Sequence, residues 1–524
     1  MFSIEQYKQE LLAELPRFRE QTQKFVDGEL TKLEYKKISG GMGVYAMRDG
    51  KHFMLRLRVP SGVIRLSHLE LIKEMIADKP EAYLHFTTRQ ATQVYNLSVD
   101  QLLELMEVAI THDIYIRGGG GNFPRNVLND ALSGFSEDSA FDVAPYAIAA
   151  DHHYYERMLT LKLPRKYKVS FSSSPAGLGQ STIQEVGFVA KEKEGEPFFD
   201  VYIGGGLGPI GKTAFKVKED VPASQCLYYI DGMLNLFIDK GHYDTPARAR
   251  IRYLVDEFGE EGFAKLFMSY VEKELAKGGR DLYPDAIIHR EGGEKTDLLD
   301  ERIIWQKQAG LYGVRIHPEG GVFGHQELDQ IIHCVKGLAK PQLRLSLEES
   351  LYILDVDKDE LPAVLALADK VSVNSKIEST IACIGSTICQ VGLEDAQQMA
   401  KEISRYFREK GADPALMNAL PVIRISGCRN SCGGQQVGGI GLYGMRQKIE
   451  GEVFSAYFMS IGGSVDTKET RFGEDVGVYL AKELPMVLYK LAQLVVSSGK
   501  SFAECVKGEA AKAILAEYNA QKSQ

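Results

Sequence analysis

The chain repeats itself, and that repeat limits its architecture more than any single motif does. Residues 43–105 carry GVYAMRDGKHFMLRLRVPSGVIRLSHLELI and then LHFTTRQATQVYNLSVDQLLEL. From residue 310 the chain reads GLYGVRIHPEGGVFGHQELDQII and then LRLSLEESLYILDVDKDELPAVL. Gly43-Val44-Tyr45 aligns with Gly310-Leu311-Tyr312, and Leu84–Leu97 aligns without a gap with Leu343–Val356. Asp100 falls opposite Asp359, each heading a helical pattern as a candidate N-cap. Alternation and periodicity read each copy as strand, strand, helix, strand, helix.

The copies differ where chemistry would sit. Arg89 and Gln93 of the first become Glu348 and Tyr352 in the second, while Arg56 and Arg58 fall in a stretch the second copy reads as shortened. A paired fold with one chemically equipped half is the simplest account. A Gly-rich mixed segment, 116–304, separates the copies. The last segment, 369–524, reads as a helix over LEDAQQMAKEISRYFREK, a strand at PVIRIS and a helical tail.

That last segment holds four cysteines, Cys383 and Cys389 in CIGSTIC and Cys428 and Cys432 in GCRNSC. Four thiolates brought together can hold a 4Fe–4S cluster. The wide first spacing argues against zinc, and plain burial of the thiols is the competing reading. Cys226, Cys334 and Cys505 belong to no motif and read as core residues. Unpaired cysteines suit a reducing cytoplasm. A net charge of −9 gives no sign of nucleic acid, and no apolar run approaches the ~18 residues of a membrane span. The start, MFSIEQYKQELLAEL, reads as an amphipathic helix rather than a signal peptide.

Against that acidity stand four basic groups: Arg56 and Arg58 in LRLRVP, Arg89 in TTRQATQ, Arg125 in FPRNV, and Arg165, Lys166 and Lys168 in LPRKYKVS. Taken singly, each reads as a solvated charge. Two other motifs mislead. GLGPIGKT at Gly206–Thr213 matches the phosphate-loop pattern, but the following AFKVKEDVPAS has no helical period, so a glycine loop against a cofactor edge is the better reading. The Gly118–Gly121 run likewise suits close backbone approach. His152-His153 reads as surface. No common hydrolase or kinase signature is present.

Together these residues carry a resemblance. The chain resembles the sirohaem and 4Fe–4S nitrite/sulfite reductase family in its cysteine pairs, its duplicated half-domain, RLRVPSGV, TTRQATQ, RNV, LPRKYK and the GGGLG loop. The match runs in order over roughly residues 40–465. It implies an α+β fold: a helical extension (1–39), ferredoxin-like half-domains (40–115 and 305–368), a sirohaem and anion-binding domain (116–304) and a cluster- and sirohaem-binding domain (369–524). It implies that Cys383, Cys389, Cys428 and Cys432 bind the cluster, with Cys432 shared with the sirohaem iron. Arg58, Arg125, Lys166 and Lys168 match positions around the substrate anion. Arg89, Gln93, Arg165 and Asn430 match positions at the sirohaem carboxylates or edge, with Arg56 also in that shell. Arg429 departs from the family's usual proline and removes a backbone constraint there.

The implied activity is six-electron reduction of a small oxyanion. RNVL and LPRKYK lean toward sulfite to sulfide; nitrite to ammonia uses the same apparatus. No flavin or nicotinamide module is visible, so electrons come from a ferredoxin or a separate flavoprotein subunit. A sirohaem-free electron-transfer scaffold and a phosphate-loop nucleotidase are the readings from other classes.

Overall fold

The computed structural model describes residues 4–523; Met1–Ser3 and Gln524, ends of the first and last expected segments, lie outside the described residues. The opening helix, Ile4–Val26, buries Tyr7, Leu11, Leu15 and Phe18 along one stripe. That stripe packs on helix Val99–Thr111. The latter begins at Ser98, whose side chain caps the Gln101 amide while Gln101 answers the Ser98 amide. Ser98, not Asp100, is therefore the N-cap. Its counterpart helix, Leu361–Val371, starts at Glu360 with Pro362 in its first turn, so Asp359 caps nothing either.

The strands follow in chain order. The first half-domain contributes β1 (Val44–Ala46), β2 (Phe53–Leu57), β3 (Val63–Ile64), β4 (Tyr83–Phe86) and β5 (Thr92–Leu97). The intervening segment contributes β6 (Val169–Ser172), β7 (Val186–Lys193), β8 (Glu196–Ile203) and β9 (Phe215–Pro222). The second half-domain contributes β10 (Ile303–Trp305), β11 (Leu311–Ile316), β12 (Val322–Phe323), β13 (Gln342–Leu345) and β14 (Leu351–Asp357). The cysteine-bearing segment contributes β15 (Ile381–Ala382), β16 (Ile423–Ser426), β17 (Ile440–Ile449), β18 (Glu452–Ile461) and β19 (Glu474–Leu480).

The half-domains exchange edge strands. One sheet runs β1-β2-β5-β4-β12 and the other β10-β11-β14-β13-β3. Phe323 pairs with Leu84 and Val322 with His85, while Ile64 pairs with Leu343 and Val63 with Arg344. The two seams are images of one another under a single constant offset. That offset also relates the β1–β2 pair Val44/Leu55 to the β10–β11 pair Ile303/Val314. It corrects the sequence alignment at two points. Val44 answers to Ile303 rather than to Leu311. Nothing has been shortened either: Arg56 answers to Arg315 and Arg58 to His317. The left-handed residues confirm the register, with Ser61, Gln90 and Asn96 matched by Gly320, Glu349 and Asp355. The expected order of elements in each copy survives.

A second duplication went unread in the sequence. β6 runs parallel to β7 with Val169 opposite Val186, and β16 runs parallel to β17 with Ile423 opposite Ile440. The loops after β6 and β16 match without a gap. Gly177 and Ser431 are both left-handed, as are Gln180 and Gly434. Leu178 stands at the position of Cys432. Gly187 and Gly441 each lie so close to a preceding carbonyl, of Ser181 and Gln435, that no side chain fits. One hydrophobic core joins the first helix, both half-domains and the intervening segment; the cysteine-bearing segment has its own. Cys226 and Cys505 are buried core residues, as expected, and Cys334 is partly buried. Among the described residues no helix is long and apolar enough to cross a membrane.

Candidate active site

The two cysteine loops grow from adjacent parallel strands. Cys383 follows β15, and its amide bonds the Ile425 carbonyl of β16 (3.1 Å). The Gly427 amide donates to Cys383 Sγ (3.1 Å), and the Asn430 side-chain amide reaches Cys428 Sγ (3.4 Å). Such donors favour sulfur that carries negative charge. Burial and then Cys432 push the Cys383 thiol up, with Cys389 adding to the effect; Cys428 senses Cys432 and Cys389 in the same way. The four thiols thus share one electrostatic neighbourhood. A tetrahedral zinc needs its sulfurs within about 4 Å of one another, and among the described residues no three His, Cys, Asp or Glu side chains are placed to hold a single ion.

The equipped half-domain clamps both loops. Thr88 Oγ1 donates to the Cys432 carbonyl (2.9 Å), Gln390 Nε2 to the Ala46 carbonyl (3.1 Å) and Arg48 to the Ser386 carbonyl (2.5 Å). Ile384 and Ile388, from the first cysteine loop, pack on Met47, Met54 and Tyr95.

The basic residues converge from three directions. Arg56, on β2, donates to the Gly119 carbonyl (2.6 Å) and lies over the Tyr45 ring. Arg125 donates to the Gly119 and Gly121 carbonyls (3.0 and 2.7 Å). Arg89 spans Asn126 O (3.0 Å) and Gln184 Oε1 (3.4 Å). None of these three has a carboxylate partner in an ion pair, and the Nε atoms of Arg89 and Arg125 are buried without an acceptor. Burial, followed by Arg125, pushes the Arg89 guanidinium down; burial and Arg56 do the same to Arg125. A guanidinium keeps its proton regardless, so this pressure expresses unmet positive charge.

Lys166 and Lys168 flank Tyr167, whose carbonyl accepts the Arg125 amide (2.8 Å). Burial, then Arg250 and Arg125, bring the Lys166 ammonium down to about 7. Burial, then Arg89 and Lys166, hold Lys168 well below its ordinary range. Arg165, in contrast, is exposed. Arg58 is 2 % exposed and paired with the buried Asp151 (2.5 Å) and the Pro124 carbonyl (3.0 Å). Against the cost of burial, Asp151 holds Arg58 above its ordinary value. Gln93 is buried between Arg56, Tyr95 and His85. Asn430 and Cys432 are exposed at the loop tip.

Other members of the cradle escaped sequence reasoning. Arg250 Nε donates to Glu185 Oε1 (2.6 Å), and Arg252 Nη1 donates to the Leu207 carbonyl (3.2 Å) with its Nε buried and unpartnered. Both face Gly206, where a Cβ would stand 2.8 Å from Arg250. The signal that could have found them is the alternation of arginines in RARIRY, which runs into the helix Ile251–Lys277. Against burial, Arg125 and Arg56 pull the Tyr45 phenol below its ordinary range. The GGLGPIGKT stretch is a hairpin closed by mutual backbone bonds between Gly206 and Lys212, with Lys212 on Asp256 (2.7 Å). No helix opens there, so it is not a phosphate loop. His153 also corrects the sequence reading: its Nε2 meets the buried Asp231 carboxylate at 3.0 Å, so only His152 is exposed.

The family description "Nitrite and sulphite reductase 4Fe-4S domain" matches residues 120–275, and "Nitrite/Sulfite reductase ferredoxin-like half domain" matches residues 45–109. An assimilatory ferredoxin-dependent nitrite reductase of Haloferax mediterranei is 26% identical over 503 residues, covering 91% of this chain and 85% of its own. The matched segments and the relatives are those of nitrite and sulfite reductases. The chain is therefore an oxidoreductase of mixed α/β architecture. A ferredoxin–nitrite reductase of Synechococcus elongatus is 25% identical, covering 84% of this chain and 85% of its own. A sulfite reductase [ferredoxin] 2 of Mycolicibacterium paratuberculosis is 24% identical, covering 81% and 76%. The solved structure of Mycobacterium tuberculosis NirA protein shares the fold, with a TM-score of 0.79 at 22% identity over 97% of this chain and 96% of its own.

This family carries sirohaem and a 4Fe–4S cluster, and the residues present fit both. The buried, carboxylate-free arginines and their orphaned Nε atoms demand a polyanion. Sirohaem is one. Gly118 and Gly206 leave room for the guanidinium groups of Arg58 and of Arg250 and Arg252, and Gly120 for the Tyr45 hydroxyl, so a side chain at any of the three would displace a polar group of the cradle. The thiol loops already supply N–H donors to sulfur.

Proposed function

We propose that this chain reduces nitrite to ammonia by six electrons. The observation that carries the reading is the trio Arg56, Arg89 and Arg125, which lack carboxylate partners among the described residues, beside the four-cysteine loops. The two nitrite-reducing relatives named above support the choice of anion. Sulfite to sulfide is the second reading, favoured by RNVL and LPRKYK.

Cys383, Cys389, Cys428 and Cys432 would hold the cluster, Cys432 at its sirohaem side. Arg56, Arg89, Arg250 and Arg252 would neutralise sirohaem carboxylates, with Gln93, Arg165 and Asn430 at its edge. When bound, the two cofactors supply electron transfer and an iron that binds the anion.

The protein's own contribution is charge and protons. Nitrite consumes eight protons and six electrons to give ammonium and two waters, so the site must pass protons repeatedly. Lys166, whose proton is loosened by burial and by Arg250 and Arg125, can give a proton to a leaving oxygen and take another from solvent. Lys168 assists it. Arg125 binds the anion and steadies the charge that builds on its oxygens. Arg58, its charge balanced by Asp151, would act on the anion through its N–H donors rather than through net charge. Electrons arrive from an external donor; the ferredoxin-dependent relatives favour ferredoxin over a flavoprotein subunit.

Anaerobic turnover of nitrite and sulfite side by side, with reduced viologen as donor, tests the reading. Higher kcat/KM on nitrite, with ammonium formed, supports it. Preference for sulfite with sulfide formed transfers the assignment to the second reading, and activity on neither removes both.

A further inference from the structure

The unequipped half-domain reaches into the cradle through one buried polar chain. Gln93 lies opposite Arg56 in the β2–β5 register and opposite His85 in the β4–β5 register. An arginine has only donors, so the Gln93 atom facing it must be oxygen. In that orientation the oxygen accepts from Arg56 Nη2 (2.6 Å) and Nε (3.1 Å). The amide nitrogen then faces Tyr95 Oη (3.0 Å) and His85 Nδ1 (3.2 Å). His85 Nδ1 must accept, which leaves its proton on Nε2. That atom looks across the strand-exchange seam to Glu349 Oε1, 3.6 Å away. His85 and Glu349 are 3 % and 1 % exposed.

The backbone on both sides of the seam leaves room for this contact, which is longer than a hydrogen bond. Glu349 is left-handed (φ 58°) in the β13–β14 turn, and its other oxygen accepts the Ala382 amide (3.3 Å). Gly321, beside β12, leaves room for the pair: a Cβ there would come within 2.7 Å of Glu349 Cβ and 3.2 Å of His85 Cδ2. Arg424 on β16 acts on Glu349, and Arg56, Tyr83, Cys383 and Cys389 act on Tyr95.

We propose that Glu349 and His85 are positioning residues that fix the Gln93 amide, and through it hold the Arg56 guanidinium in place for a sirohaem carboxylate. The carboxylate selects the His85 tautomer. The tautomer selects the amide orientation. The amide oxygen gives Arg56 a forked acceptor and stops it from rotating toward Gly119 alone. With the opposite tautomer, two donors would meet at His85 and Gln93, the amide would turn, and Arg56 would face a donor. The device works across the strand-exchange seam, so the half-domain with Glu348 and Tyr352 in place of Arg89 and Gln93 still shapes the site. This rests on the sirohaem assignment of the proposed function.

The test compares His85→Leu, His85→Gln, Arg56→Gln and the Leu/Gln double variant in the full chain. Sirohaem loss from the loaded protein is followed by visible absorption. His85→Leu and Arg56→Gln are each expected to release sirohaem about tenfold faster, as supporting residues around a cofactor do. His85→Gln can accept from Gln93 and donate to Glu349, so it should release at the wild-type rate. The double variant should release no faster than Arg56→Gln. Equal loss in His85→Leu and His85→Gln, or additive loss in the double variant, overturns the proposal. Nitrogen-labelled histidine NMR of the cofactor-free chain reads the tautomer directly and separates this proposal from the sirohaem assignment. A proton on Nε2 of His85 is expected; a proton on Nδ1 overturns the mechanism even if sirohaem binds.

Discussion

Arg58 and Asp151 form an ion pair 2.5 Å long with side chains 1% and 0% exposed. The same carboxylate accepts the Val127 amide (3.0 Å) and the Tyr155 hydroxyl (3.1 Å). Asp151 thereby ties Arg58 to the strand-like run that carries Arg125. Replacing Asp151 with Asn leaves a buried guanidinium without its counter-ion. Urea denaturation of the cofactor-free protein should show a loss of about 3–5 kcal/mol. Replacing both partners with apolar residues of similar size should recover most of it, at the expense of activity.

Lys166 sets a pH dependence whose sign is fixed. The unfolded chain holds the lysine proton to about pH 10.4, whereas the folded, cofactor-free site releases it near 7. Between those values the unfolded state binds more protons, so stability rises with pH over that window. Stepwise urea titrations should show the rise, and Lys166→Met should flatten it. Polyanion binding restores the charge, so calorimetry at pH 8 in buffers of different ionisation enthalpy should show net proton uptake that Lys166→Met reduces.

Ser431 adopts φ 57° between Cys428 and Cys432, and its hydroxyl is buried without a partner. The matching position after β6 is Gly177, at φ 71°. Ser431→Gly should therefore stabilise the cofactor-free chain by about 1 kcal/mol, seen as a higher Tm. The reciprocal Gly177→Ser should destabilise it, because the new Cβ strikes the Val465 carbonyl.

Phe323 lies on an exchanged strand, 1 % exposed, with its ring 4.6 Å from Phe86. Phe323→Ala should cost about 3–5 kcal/mol. Since β12 belongs to the other half-domain's sheet, the loss should lower one shared unfolding transition. Calorimetry that resolved two half-domain transitions would contradict this.

The parts of this architecture that were legible in sequence share a cause. Leu84–Leu97 and Leu343–Val356 align because those strands are buried almost throughout, and the cysteines stood out through their spacing. The edge strands were not legible: two-residue strands such as Val63–Ile64 have too few positions for a period, and their partner lies hundreds of residues away. The second duplication was hidden because glycine turns and left-handed positions, rather than side chains, carry it. Among site residues, TTRQ and LPRKYK stood out through their charge. Arg250 and Arg252 did not, because Pro246–Arg252 reads as an ordinary helix approach. The sequence reading placed Arg58 at the anion, and its buried pairing with Asp151 escaped notice because Asp151 sits in a helix far along the chain.

The strand exchange also dictates an order of construction. The sheet that carries Arg56 and Gln93 waits for Val322 and Phe323 to reach its edge, and the Thr88–Cys432 bond closes later still. A chain emerging from the ribosome cannot finish its first half-domain before its second is made. Cofactor loading must therefore follow release of nearly the whole polypeptide, and a prematurely terminated product yields no half-competent enzyme.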